Sequence, residues 1–215
     1  MTGWLDSTKI RRVLCLGAHS DDIEIGAGGT LLRLIGQVPG IEIHWVVFGG
    51  DVPERQEEAR RSAEQLLAAV ERKTIVTHGF RDAFFPSQLG PIKECFEQVK
   101  ESFAPDLVFT HCRDDLHQDH RLINQLTWNT FRSHLVLEYE IVKYDGDLGQ
   151  PNVFVPLSAD IVRVKIDHLL AHFATQRGKQ WYDEEAFRGY LRIKGIECNS
   201  PTRYAEAFHG RKLVL

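Results

Sequence analysis

Two short stretches hold most of the side chains that could do chemistry. The first is Ala18-His19-Ser20-Asp21-Asp22, with Glu24 just beyond it. The second runs from His111 to His120 and packs three histidines (His111, His117, His120) and three aspartates (Asp114, Asp115, Asp119) into ten residues. Imidazole and carboxylate donors suit zinc, or another borderline divalent ion, at a catalytic centre. Such a centre needs three protein donors and one position open for water, and two histidines with one carboxylate meet that count. Cys112 lies inside the second stretch, but a thiolate belongs more naturally to a closed structural site.

Each stretch follows an apolar run: Val13 to Ala18 before the first, Asp106 to Thr110 before the second. Ile41 to Phe48, closed by Gly49-Gly50, and a segment centred on Ile75 and Val76 are two more. Runs of this kind predict strands buried on both faces of a parallel sheet. Between them lie helical patterns. Ala59, Ala63, Leu66, Leu67 and Val70 form one, with Asp51 as its expected cap and Glu54 three residues later. Ile92, Cys95, Phe96, Val99 and Phe103 form another, opened by Pro91 and closed before Pro105. Alternating strands and helices predict a doubly wound α/β fold. With strand order 3-2-1-4, the first and fourth strands flank the point where the order reverses. Ligands bind at such a point, and both His/Asp stretches would meet there.

The last third is less regular. Leu135 to Val142 predicts a strand whose Glu138 and Glu140 give it a wetter face and an edge position. Val162, Ile166, Leu169 and Phe173 predict a helix, and Asp183 to Arg192 a further one. No internal repeat, low-complexity stretch or linker interrupts the chain, so residues 1–215 are expected to form one domain.

Plainer readings compete at several positions. A single His or Asp in a loop is usually solvated or caps a helix, and Asp21 or Asp22 could cap the helix that runs through Thr30 to Ile35. The His168/His172 pair stands one helical turn apart without the Glu of a metalloprotease motif, and reads as surface or packing. Gly26-Ala27-Gly28-Gly29 resembles half of a dinucleotide-binding turn but lacks the full glycine spacing. These glycines are expected to let a helix approach the sheet closely. There is no GxSxG elbow and no P-loop.

Composition narrows the classes. The chain has 215 residues, 43% of them hydrophobic, enough for one sizeable core. A net charge of -4 argues against a nucleic-acid or anionic-membrane partner. No apolar run is long enough to span a membrane, and MTGWLDSTKIRR has no apolar signal core. The four cysteines form no CxxC pair and read as reduced thiols, which together predict a cytoplasmic location.

The Ala18-His19-Ser20-Asp21-Asp22 loop with Glu24, and the loop His117-Gln118-Asp119-His120, resemble the two signature motifs of the LmbE-like, or PIG-L, N-acetylglucosamine deacetylases. Arg55-Gln56-Glu57-Glu58, followed by Ala63 and Leu66, and Tyr204-Ala205-Glu206-Ala207-Phe208 extend the resemblance along nearly the whole chain. The resemblance implies a Rossmann-like three-layer fold and zinc held by His19, Asp22 and His120. It also implies that Asp21 is the general base, that His117 stabilises the oxyanion and protonates the leaving amine, and that Asp119 orients His117. Asp119 would then raise the imidazole pKa and keep His117 charged near neutral pH. Arg55 is implied as a substrate contact, and a small N-acetylated amino sugar or its conjugate as the substrate. The same residues would serve an amidase acting on a non-sugar substrate, or a metal-binding homologue without catalysis. A nucleotide-binding module rests on the α/β pattern alone. Ser20 departs from the family pattern, which has proline there.

This division of labour has a direct test. Asp21→Ala should keep zinc and lose most turnover, about 10²–10⁴-fold, while His120→Ala should lose zinc itself. Metal content and acetate release, measured on the same preparations, check both outcomes.

Overall fold

The computed structural model describes residues 9–213. Residues 1–8, the start of the N-terminal segment that has no apolar signal core, lie outside them. In chain order the first elements are β1 (Arg12–Gly17), α1 (Asp22–Gln37), β2 (Glu42–Gly49), α2 (Pro53–Leu66), β3 (Arg72–Phe80), α3 (Leu89–Ser102) and β4 (Leu107–His111). There follow α4 (Gln118–Thr130), β5 (Leu135–Tyr139), β6 (Val153–Leu157), α5 (Ala159–His172), α6 (Glu184–Glu197) and β7 (Tyr204–Gly210).

The strands join in one sheet of order β3-β2-β1-β4-β5-β7-β6. The first five are mutually parallel, and β7 runs antiparallel to both β5 and β6. The 3-2-1-4 order assumed above is present, with its reversal between β1 and β4. Side chains alternate along each strand. Val13 and Cys15 accordingly enter one core with α1, α2, α5 and α6, while Leu14 and Leu16 enter the other with α3 and α4. Both faces of β1 are covered, which is why its sequence is apolar throughout. This is the Rossmann-like, three-layer arrangement expected from the sequence.

Three local expectations change. The strand read over Leu135 to Val142 ends at Tyr139 and is interior, between β4 and β7; β6 takes the edge. Glu138 and Glu140 are buried rather than wet because each is fully partnered. Glu138 accepts from Trp128 Nε1 (2.6 Å) and Arg211 Nε (2.9 Å), and Glu140 from Gly149 N (2.8 Å) and Tyr190 Oη (2.9 Å). Asp51 does not cap α2. Val52 holds that position without a side-chain bond, and Pro53 opens the helix, having no N–H to leave unpaired. A short 3-10 helix, Phe85–Gln88, precedes α3, so Pro91 falls in its first turn instead of opening it. Asp183 caps α6 as the sequence suggests, accepting from Ala186 N at 2.7 Å.

Of the glycines in α1, Gly26 lies against the Tyr139 ring and Gly29 against Leu157 and Glu206, so close approach is their role. Gly28 has ordinary room. All four cysteines are free. His168 packs inward, with Nε2 2.8 Å from Ser62 Oγ, and its ring lies 4.3 Å from that of His172. Among the described residues no helix is long and apolar enough to cross a membrane.

Two glycines of the same helix should respond oppositely to alanine. Gly26→Ala drives a Cβ into the Tyr139 ring and should cost about 1–3 kcal/mol. Gly36→Ala meets nothing and should stabilise by about 0.5–1 kcal/mol. Thermal unfolding of both variants checks the pair.

Candidate active site

The crevice forms where β1 and β4 end side by side. β1 gives way to the loop Ala18–Asp21 and then to α1; β4 ends at His111, and His117 caps α4. Two hydrogen bonds to the Ala18 backbone hold the first loop in place. Ala18 N–H donates to His111 Nε2 (2.9 Å), and Gly49 N–H donates to the Ala18 carbonyl (2.7 Å). His120 stands in the first turn of α4, and Asp22 opens α1.

His19, Asp22 and His120 converge. His19 Nδ1 lies 3.0 Å from His120 Nε2 and 3.4 Å from Asp22 Oδ2, and His120 Nε2 lies 3.6 Å from Asp22 Oδ2. Three donors about 2.0–2.2 Å from a tetrahedral zinc stand roughly 3.3–3.5 Å apart, so this trio has the spacing of a metal site. Two overlapping groups could also hold an ion: His19 with His117 and His120, and Asp22 with His111 and His120. His111 is the weaker donor, because its Nε2 already accepts the Ala18 N–H.

The electrostatics favour a cation here. Burial would lower the His19 pKa, but Asp22 and Asp119 outweigh it and push it up to about 10. Burial would raise Asp22, yet His120, His111 and His19 hold it well below the usual carboxylate range. Burial and His111 lower His120 to about 3. Asp21 behaves differently from its neighbour. Burial and the Asp22 charge raise it to about 6, against Arg55 and Lys179, and its Oδ2 is buried without a hydrogen-bond partner among the described residues.

The expected pairing of Asp119 with His117 is not what the side chains do. The Asp119 carboxylate lies 3.2 Å from His19 Nε2 and also accepts from Ala83 N (2.6 Å) and Phe85 N (3.1 Å). Only the Asp119 backbone meets His117: its N–H donates to His117 Nδ1 at 3.3 Å. The His117 pKa is accordingly lowered, by burial and by the neighbouring His19, with Asp119 opposing only in part. An imidazole that accepts at Nδ1 carries its proton on Nε2, so His117 is a neutral donor.

Residue types alone did not single out Asp115, Asp82 or Lys143. Asp115 Oδ2 is 2.9 Å from His120 Nδ1 and 3.2 Å from Lys143 Nζ, and it fixes the His120 ring. Burial would raise the Asp115 pKa, but the His120 hydrogen bond and nearby cations pull it well down. Asp82 pairs with Arg55, whose other terminal nitrogen donates to Ser20 Oγ at 3.2 Å. Asp82 follows the end of β3 on the ligand-binding side of the sheet, a position that could have flagged it. Asp114, by contrast, is exposed and pairs with Arg211. His19, Asp21, Asp22, Arg55, Asp82, His117 and His120 line a cleft of about 360 Å³, together with Lys143, Tyr144, Lys179 and Trp181.

A His/Asp cluster in the switch-point crevice of a mostly parallel sheet is a centre suited to metal-assisted hydrolysis. Residues 14–131 match the family model described as PIG-L, GlcNAc-PI de-N-acetylase, and the chain belongs to this family. It is 30% identical over 178 residues to the uncharacterized deacetylase YaiS of Escherichia coli, covering 77% of this chain and 92% of that one. The N,N'-diacetylchitobiose deacetylase of Pyrococcus horikoshii has a similar structure, with TM-score 0.68, 21% identity and coverage of 93% and 83% of the two chains. GalB, the 4-carboxy-2-hydroxymuconate hydratase of Pseudomonas putida, shares the fold with TM-score 0.71, 18% identity and coverage of 96% and 98%. Membership and the deacetylase relatives make this chain a hydrolytic N-deacetylase. The hydratase shows how far the fold alone can diverge in chemistry.

Asp119→Asn separates the two positions for its carboxylate. Acting on His19, the substitution should weaken metal affinity about 10–100-fold. Acting on His117, it would leave affinity unchanged. Competition with a chromogenic chelator reads the difference.

Proposed function

We propose that this chain is a zinc-dependent deacetylase that removes the N-acetyl group of an N-acetylglucosamine-type amino sugar or its conjugate. The observation that carries the reading is the trio His19, Asp22 and His120, with donors 3.0–3.6 Å apart, beside the unpartnered carboxylate oxygen of Asp21. In this reading those three hold zinc. When bound, zinc supplies a Lewis acid for the amide carbonyl and lowers the pKa of its water to about 7.

The remaining steps belong to the side chains. Asp21, with a pKa near 6, takes the proton of the attacking water, and a base poised near the working pH is the efficient kind. Asp21 later returns that proton to the departing amine, while neutral His117 keeps its Nε2–H and offers it to the developing oxyanion. A donor of this sort is worth roughly 2.7–4 kcal/mol in acyl transfer. Asp119 and Asp115 hold the His19 and His120 rings in register. Arg55 and Asp82, a donor and an acceptor side by side, contact sugar hydroxyls. Tyr144 and Trp181 offer apolar faces on the aglycone side.

The sugar comes from the relatives. The family description refers to GlcNAc-PI, and the Pyrococcus enzyme is a deacetylase of N,N'-diacetylchitobiose. Acetate release should be measured over N-acetylglucosamine, N,N'-diacetylchitobiose, an N-acetylglucosaminyl-inositol conjugate and non-sugar acetamides. Release from at least one sugar is expected, abolished by a zinc chelator and restored by zinc. Faster release from the non-sugar amides, or none from any sugar with zinc bound, would overturn the substrate.

A further inference from the structure

A lysine and a glutamate are buried together against the middle of α1. Lys165 of α5 is 3% exposed and Glu206 of β7 is 1% exposed, and Lys165 Nζ lies 2.5 Å from Glu206 Oε1. Neither touches the crevice. What they touch is the backbone of the helix that Asp22 opens. Glu206 accepts from Gly29 N–H at 2.7 Å and from Thr30 N–H at 2.6 Å, while Lys165 Nζ donates to the Ile25 carbonyl at 2.5 Å.

In an uninterrupted helix the Gly29 N–H pairs with the Ile25 carbonyl and the Thr30 N–H with the Gly26 carbonyl. The ion pair thus engages the same backbone groups that successive turns of α1, a continuous helix from Asp22 to Gln37, offer each other. Its carboxylate binds two amides in the middle of the helix, and its ammonium binds the Ile25 carbonyl one turn nearer the crevice. Gly29 makes this possible, because a Cβ there would press on Leu157 and on Glu206 Oε1. The opening turn itself is short and tied at both ends. Ile25 N–H donates to the Asp21 carbonyl at 3.0 Å, and the Ile25 carbonyl goes to Lys165. Gly26 rests against Tyr139, whose hydroxyl donates to the Leu16 carbonyl at 2.7 Å.

We propose that Lys165 and Glu206 are a positioning pair for the candidate metal site, setting the aim of the turn that carries Asp21 and Asp22 apart from the rest of α1. The pair acts through a continuous path: Asp21 carbonyl, Ile25 amide and carbonyl, ammonium, carboxylate, and the amides of Gly29 and Thr30. An ion pair used only for stability could be exchanged for apolar side chains of similar size at little cost. A positioning pair could not be, because the α1 backbone at Ile25, Gly29 and Thr30 would lose the charged partners that hold its opening turn in place. This rests on the reading of Asp22 as a zinc ligand and Asp21 as the base.

The test is the double variant Lys165→Met/Glu206→Leu, assayed as full-length protein. Its melting temperature should stay close to the parent's. Its zinc dissociation constant, by chelator competition, should rise about tenfold or more. kcat should fall in parallel, with KM for the best N-acetylated sugar changing less than about threefold. Leu169→Ala, a cavity on the same α5, should lower the melting temperature and leave zinc affinity alone. If the double variant does not fold, Glu206→Gln keeps one amide oxygen for the two N–H groups and should show a smaller loss of affinity in the same direction. A folded variant with zinc affinity within about twofold of the parent overturns the proposal, as does an equal loss in Leu169→Ala. A parent protein that binds no zinc overturns both this inference and the metal reading beneath it.

Discussion

The hydrogen bond from Ala18 N–H to His111 Nε2 joins the ends of β1 and β4, and the geometry of the crevice depends on it. The two strands are neighbours only because the chain reverses its strand order between them. Everything chemical then follows from what each strand delivers at its carboxyl end. β1 delivers His19, Asp21 and Asp22 within one loop and half a turn; β4 delivers His111 directly and His117 and His120 through the start of α4. His111 is fully buried and stacks on His120 with ring centres 4.0 Å apart, so the bond that fixes one loop also braces a residue of the other.

Within that frame, the pKa values of two adjacent aspartates are driven in opposite directions. Asp22 Oδ2 accepts from His19 N–H at 2.6 Å and faces three imidazoles, which keep it ionised. Asp21 has burial and the Asp22 charge against it, and Arg55 and Lys179 only partly compensate. A pair of titratable groups pushed apart in this way is what the proposed acid–base roles would require. The outer carboxylates follow a similar logic: Asp115 and Asp119 each hold the far nitrogen of one imidazole. The cluster is therefore two layers deep.

The strands and the two His/Asp stretches that follow them were legible from apolar runs, the crevice followed on an assumed strand order, and the choice of His19, Asp22 and His120 came from the family resemblance. Partners that come from elsewhere in the chain were not legible. Glu138 and Glu140 look like the wet face of an edge strand, and partners from other elements and loops, among them Arg211, Trp128, Tyr190, Gly149 and His209, make them interior. Asp119 sits beside His117 in the sequence, yet the first turn of α4 turns its carboxylate toward His19. Adjacency along a chain constrains backbone contacts, and those are what Asp119 and His117 share. Asp115 belonged to the run that drew attention, but its types gave no reason to prefer it to Asp114.

Ser20 shows how a departure from a family pattern is absorbed. A proline between His19 and Asp21 would restrict the backbone at that point. Here the restriction is supplied from outside the residue: Ala18 is tied through its N–H to His111 and through its carbonyl to Gly49, and His19 N–H is tied to Asp22. With the loop pinned on both sides, the position is free to carry a hydroxyl, and Ser20 Oγ accepts from Arg55. Arg55 is thereby held between Ser20 and Asp82 at the wall of the cleft, an anchorage that a proline side chain, having no acceptor, could not provide.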